Sequence, residues 1–159
     1  MEQKTNPMRH LDKLGIPYEV HYYGDVALSG MEVAQSAGED PREVFKTLVT
    51  ESKDRHYYVF LVPVTGDLDL KKAAASVGEK SLSMIKSKEL LPLTGYVHGG
   101  CSPLCTKRPM RVTIDATAES LERIYFSAGK VGYQIEMAVA DLPKAMEFQF
   151  ADVRKPVGP

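Results

Sequence analysis

The sequence is poor in several features that usually betray a protein's habitat. Its 159 residues include two cysteines, Cys101 and Cys105, four positions apart. A pair so close cannot staple a domain of this length, so the expected compartment is the reducing cytoplasm. No run of about 18 apolar residues occurs, which excludes a membrane-spanning helix. The opening Met-Glu-Gln-Lys-Thr-Asn-Pro has no apolar centre and is not read as a secretory leader. An excess of one charge is missing too: 20 Lys and Arg stand against 21 Asp and Glu, a net charge of −1. That balance argues against a long nucleic-acid footprint and leaves a small local contact open. Repeats, low-complexity tracts and linkers are also missing. Residues 1–159 therefore read as one domain with a frayed tail at 155–159.

What is present is a string of short elements with clear punctuation. Asn6-Pro7 opens a helix with Met8, Leu11 and Leu14 on one side, closed by Gly15. Pro17 to Tyr23 alternates as a half-buried strand, with Tyr18, Val20 and Tyr22 on one face. Ser29 and Glu32 have capping-box spacing for a helix ending near Gly38. Asp40-Pro41 starts a brief third helix. Phe45–Thr50 and Tyr57–Val64 form a hairpin of strands. Leu70–Val77 is an alanine-rich helix stopped by Gly78, and Ser81–Ile85 is a candidate strand. Lys88–Leu91 is a helical turn closed by Pro92, and Tyr96–His98 is a short strand. Strands follow at Arg111–Ile114, Ile124–Ser127 and Tyr133–Ala138. Asp115 caps a short helix, Asp141 starts the last one, and Phe148 and Phe150 cover the core. The class is mixed α/β, with a curved, largely antiparallel, partly barrel-like sheet flanked by short helices.

The stretch Gly95–Cys105 carries the first chemical signal. Paired Gly99-Gly100 lets backbone N–H groups approach a ligand, and Ser102-Pro103 stiffens the exit. Such a loop serves as a cradle for a carbonyl or phosphate oxygen, or simply as a turn between strands. Lys46 is the second signal. It lies among Val44, Phe45, Leu48 and Val49, where a lysine needs a partner, a task or a snorkelling path to water. His98, Cys101 and Cys105 offer three ligands at H-x2-C-x3-C spacing, but no second cluster backs a zinc site, and none is expected. Cys101 is either a thiol activated by nearby Lys107 and Arg108 or a small buried side chain. Lys107, Arg108 and Arg111 form a basic cluster after the loop, suited to phosphate or to plain solvation.

Taken together, four blocks resemble the YbaK family of aminoacyl-tRNA deacylases, which is related to the editing domain of bacterial prolyl-tRNA synthetases. They are Val44–Leu48, Pro63–Lys72, Thr94–Pro103 and Ile124–Lys130, in that order. The resemblance implies hydrolysis of the ester that joins a wrong amino acid to tRNA(Pro). The nearest branch is the free-standing Cys-tRNA(Pro) deacylases. It implies an essential Lys46, a site lined by Gly99 and Gly100, a pocket residue at Tyr23, and no metal or cofactor. Phe45, Thr47, Cys101, Ser102, Pro103, Gly129 and Gln134 complete the expected substrate-binding set, with Lys46 and Gly100 as its catalytic members. Backbone N–H groups at Gly100 and Cys101 would stabilise the developing oxyanion.

No Ser-His-Asp set or general base stands out, in keeping with the assistance by a substrate group proposed for the family. A thiol, an amine or a ribose hydroxyl would serve. Gln134 stands where related sequences often carry aspartate, and Cys105 where they usually have glycine. The expected partners are the tRNA(Pro) acceptor end and a prolyl-tRNA synthetase, with no membrane. The alternatives are a non-catalytic aminoacyl- or nucleotide-binding module with the same pocket, and a thiol redox or zinc protein.

Overall fold

Strand β3, Tyr57–Pro63, is buried on both faces, and the fold is arranged around it. Val59 and Leu61 point into one apolar cluster, Phe60 and Val62 into another. This explains an apolar run with no polar alternation, since a central strand covered on both sides has no solvent face. The computed structural model describes residues 4–24 and 29–156. Among the described residues there are five α-helices: α1 (Asn6–Leu14), α2 (Gly30–Ala37), α3 (Leu70–Ser76), α4 (Ser87–Thr94) and α5 (Leu142–Ala145). The other strands are β1 (Glu19–Tyr22), β2 (Phe45–Glu51), β4 (Ser83–Met84), β5 (Arg111–Asp115), β6 (Arg123–Ser127), β7 (Tyr133–Ala138) and β8 (Gln149–Ala151).

Two sheets result. One has the order β1-β7-β6, the other β4-β2-β3-β5-β8. Pairing is antiparallel except where β5 lies parallel to β3 and β8 parallel to β5. The sheets meet at a parallel bridge between Val44 and Tyr125 and do not close into a barrel. The larger cluster fills the space between them, with Leu11, Phe45, Ile114, Ile124, Phe126 and Ile135 buried. The second lies under α3, where Ala73, Ala74 and Val77 pack on Phe60, Val62 and Val153.

Local signals explain most of the boundaries. The capping box at Ser29 and Glu32 forms as its spacing demands, and Gly38 closes α2 at φ 68. Asp69 caps α3 through the N–H groups of Lys71 and Lys72. Asp115 accepts from Thr117 N–H and also holds Val153 N–H at 3.0 Å, so one carboxylate ties two segments.

Several expectations are corrected. Thr5, not Asn6, caps α1, and Leu14 is exposed. On β1 the outward residues are Val20 and Tyr22; His21 turns inward because its ring meets Glu136 on β7. The helix α4 runs through Pro92 to Thr94, whose hydroxyl donates to Leu90 O at 2.7 Å and anchors the last turn. Tyr96–His98 is a loop, because Tyr96 is buried with its hydroxyl on Leu104 O, and Gly100 N–H turns back to Val97 O at 2.9 Å. Phe150 lies in a strand, β8, defined by its partner β5. The tail is tied further than expected: Arg154 bridges Leu68, and Lys155 N–H donates to Asp67 O. Among the described residues, no helix is long and apolar enough to cross a membrane.

Candidate active site

A cavity of about 450 Å³ opens where the two sheets diverge beside the glycine loop. That size suits a small ligand, since such sites commonly hold roughly 300–1,000 Å³. Its walls are mostly apolar: Val33 from α2, Val44, Phe45 and Val49 around β2, Ile85, Leu90 from α4, and Phe126 from β6. The polar groups come from Tyr23, Ser29, Lys46, Thr47, Ser87, His98, Ser127 and Gln134, with Gly99 and Cys101 at one side.

Lys46 stands at the start of β2, where the hairpin partner is Val62. Its ammonium reaches Asp67 at 3.3 Å, and Asp67 is largely exposed. The lysine is therefore not sealed in an apolar frame, as its neighbours in sequence suggested. It snorkels past them to the rim of the cavity and keeps a wet, replaceable partner. Glu136, the carboxylate that would have made Lys46 structural, is engaged elsewhere: it holds His21 at 2.7 Å and Arg123 at 3.1 Å.

Two buried polar atoms at the cavity have no hydrogen-bond partner, Thr47 Oγ1 and Gln134 Oε1. Such atoms are uncommon in native proteins, and each calls for a ligand or solvent group to complete it. Cys101 is buried in the same wall, and burial pushes its thiol up to about 11 despite a hydrogen bond involving Thr94. The activated-thiol reading is thereby overturned: the sulfur stays protonated at neutral pH.

Seven of the expected site residues line this cavity: Tyr23, Phe45, Lys46, Thr47, Gly99, Cys101 and Gln134. Gly100, Ser102, Pro103 and Gly129 do not. Gly100 is buried behind the loop, and its N–H is spent on Val97 O, so it is not an open oxyanion donor. A Cβ there would stand 3.0 Å from Val131 N and 3.3 Å from Lys130 C, so its role is close backbone approach. Ser102 is fully buried and accepts from Leu104 N–H, which shapes the loop. Gly129 has φ 94 and leaves no room between Tyr96 and Pro7 for a side chain. Among the described residues, the N–H groups of His98, Gly99 and Cys101 meet no acceptor and are the free amides on this wall.

The zinc spacing does not close. Cys101 is buried, whereas Cys105 is exposed with its sulfur toward Asn6 O. Among the described residues, the one ligand-type group close enough to share an ion is Glu19, His21 and Glu136. There Arg123 already neutralises Glu136, and Glu19 is exposed. Cys105 has φ 59, a left-handed conformation that glycine takes without strain. The basic cluster also lies apart. Arg111 pairs in register with Tyr58, and Arg108 stacks on Tyr57 at 4.9 Å. Those tyrosines face Thr50 and Glu51 on β2. At about 3.3 Å per residue, they lie roughly 13–17 Å along the strand from Lys46.

Sequence reasoning missed Glu39, which follows the helix-closing Gly38. Both its carboxylate oxygens are buried and meet no donor in good hydrogen-bond geometry, the nearest being the Gln134 amide. Burial raises its pKa above the ordinary carboxylate range, opposed by the neighbouring Gln134 amide and by the charge of His21. No local pattern marks this residue, because its importance comes from β7 passing beside it.

The family model for aminoacyl-tRNA editing domains matches residues 24–145. A protein of Enterococcus faecalis, named provisionally as a Cys-tRNA(Pro)/Cys-tRNA(Cys) deacylase, is 36% identical over 154 residues. That match covers 96% of this chain and 94% of the relative. A proline–tRNA ligase of Shouchella clausii is 29% identical over 102 residues, which is 64% of this chain and 18% of the ligase. A crystal structure described provisionally as a trans-editing enzyme for prolyl tRNA synthetase superposes with a TM-score of 0.83. It covers 97% of this chain and 100% of its own at 23% identity, a likeness of fold.

Proposed function

We propose that this chain, which belongs to the aminoacyl-tRNA editing domain family, is a free-standing hydrolase that removes wrongly attached amino acids from tRNA(Pro), cysteine foremost. The observation that carries this reading is the cavity itself. An otherwise apolar pocket presents an unpartnered hydroxyl at Thr47, an unpartnered amide oxygen at Gln134 and an ammonium at its rim. A small apolar or sulfur-bearing side chain fits such walls, and an ester with its ribose and phosphate fits the polar groups.

In this reading Lys46 leaves Asp67 for the terminal ribose or phosphate and holds the ester against the glycine loop. The N–H of Cys101 and the hydroxyl of Thr47 then stand as donors for the carbonyl oxygen as it gains negative charge. Preorganised donors in a dry cavity are worth more than in water, because no solvent competes for the oxyanion. His98 is the one imidazole on the lining and, among the described residues, has no carboxylate to orient it as a general base, so in this reading the attacking group or its activator comes from the substrate. Contact with tRNA is confined to the acceptor end, and a prolyl-tRNA synthetase is the natural source of the mischarged substrate.

The test is deacylation of Cys-tRNA(Pro), Ala-tRNA(Pro) and Pro-tRNA(Pro) by the pure protein. Release of cysteine well above the spontaneous rate, with Pro-tRNA(Pro) spared, is the expected result. Tight binding of Cys-tRNA(Pro) without release would overturn the enzyme reading and leave a binding module.

A further inference from the structure

The back of the cavity holds an excess of acceptors. Gln134 is 3% exposed, lines the cavity from β7, and has no donor for Oε1. Glu39 stands beside it, outside the cavity lining, with both oxygens buried and the Gln134 amide as the one donor next to them. The charged groups that face Glu39 are His21, Glu136 and Arg123. Their cations are already taken: Glu136 holds both His21 and Arg123, and Glu43 lies 3.7 Å from Arg123. With Glu19 4.0 Å from His21, four carboxylates thus face one guanidinium and one imidazole. The deficit is a cation, and the unfilled acceptors say where its protons would go.

We propose that Gln134 and Glu39 together receive the α-ammonium group of the aminoacyl ester, with Gln134 Oε1 as its hydrogen-bond acceptor and Glu39 as the counter-charge behind. The inference rests on the deacylase reading and names the end of the substrate that this wall recognises. In an aminoacyl ester with an uncharged side chain, the α-ammonium is the one cation; ribose and phosphate offer none. The cavity is therefore polar in a useful sense. Lys46 at the rim suits the anionic tRNA end, and Glu39 at the back suits the cationic amine, so only one orientation satisfies both. A hydroxyl or thiol would fill the Gln134 acceptor but leave the Glu39 charge unanswered, which is why charge decides for the amine. The arrangement also rejects N-acylated esters, whose nitrogen carries no charge.

The experiment uses two non-hydrolysable analogues of the acylated terminal adenosine, each joined by a 3′-amide. One carries cysteine; the other carries its α-hydroxy counterpart. Their affinities are compared by calorimetry for the wild-type protein and for Glu39→Gln. A charge-assisted hydrogen bond corresponds to a preference of about 10- to 100-fold for the ammonium analogue in the wild type. The Glu39→Gln variant should lose most of that preference while binding the α-hydroxy analogue as the wild type does. A purely structural role for Glu39 would weaken both analogues alike, and that result would overturn the proposal. So would equal affinity of the wild type for the two. Gln134→Leu is the second arm: it should lower affinity for the ammonium analogue in a melt-stable protein, and retained preference would refute the acceptor role. If the wild type also fails to deacylate Cys-tRNA(Pro), the parent reading falls and this one with it. Deacylation without an ammonium preference sinks this proposal alone.

Discussion

Replacing Lys46 by alanine should separate the catalytic reading from a structural one. The stability cost follows from the partner. Lys46 and Asp67 stand 3.3 Å apart, with side chains 33% and 76% exposed. A pair that wet contributes about 0–1 kcal/mol. Alanine on a strand costs up to about 1 kcal/mol more. At about 2–4 °C per kcal/mol for a chain of this size, the melting temperature should fall by a few degrees only. The rate should fall far more. Losing a charge-assisted contact to the reacting ester or its phosphate costs about 2.7–4 kcal/mol of transition-state stabilisation, or about 10²- to 10³-fold. Single-turnover deacylation of Cys-tRNA(Pro) and a thermal melt on the same preparation measure both. Asp67→Asn is the companion variant: it removes the resting partner, leaves the ammonium, and should keep activity. A Lys46→Ala protein that melts much lower yet hydrolyses at nearly the wild-type rate would refute the reasoning.

The thiols should be dispensable: Cys101→Ala with Cys105→Gly is expected to keep deacylation, and a loss as large as that of Lys46→Ala would count against it. The Cys105→Gly change relieves a left-handed residue worth roughly 1–2 kcal/mol but gives back most of that in unfolded-chain entropy, so denaturant melts should move little. Gly100→Ala should destabilise by about 1–3 kcal/mol, because its Cβ would press on the backbone of Lys130 and Val131; an unchanged melt would show that the two loops yield. Glu136 is the pH-sensitive member of the seam. Burial alone would raise its pKa, but His21 and Arg123 outweigh that and hold it below the ordinary glutamate range. A lowered folded pKa gives stability that is present above the unfolded value and lost as pH falls through the folded one. Glu136→Gln should therefore lose about 1–3 kcal/mol at pH 7 and show a flatter acid melt than the wild type below about pH 4.5; parallel acid profiles would contradict this.

Where a boundary rests on local chemistry, the sequence is readable. The Ser29–Glu32 box, the glycine stops at 15, 38 and 78 and the continuous apolar strand β3 all form as their residues demand. What escapes is set by distant partners. Tyr96 looks like a strand residue until its hydroxyl finds Leu104 O across the loop. His21 leaves Val20 and Tyr22 outward because its ring bonds Glu136, which lies diagonally across on β7. A three-residue parallel edge such as β8 has no period of its own to read. The site divides the same way. Lys46, Thr47 and Gly99 sit in recognisable blocks, whereas Gly100 supports the loop from behind and Glu39 matters only because β7 runs past it.

Val44 joins the two sheets by its bridge to Tyr125, accepts Val64 N–H at 2.8 Å, and also walls the cavity. Amide exchange at this junction is therefore a gauge of occupancy. Opening the seam breaks the wall, so a molecule held in the cavity must leave before these amides are freed. At a concentration about 100 times its dissociation constant, such a ligand slows every opening that releases it by about 100-fold. The amide of Val64, which Val44 O holds, would register that protection, while those of Lys71 and Lys72, in α3 on the far side of β3, would keep their pace.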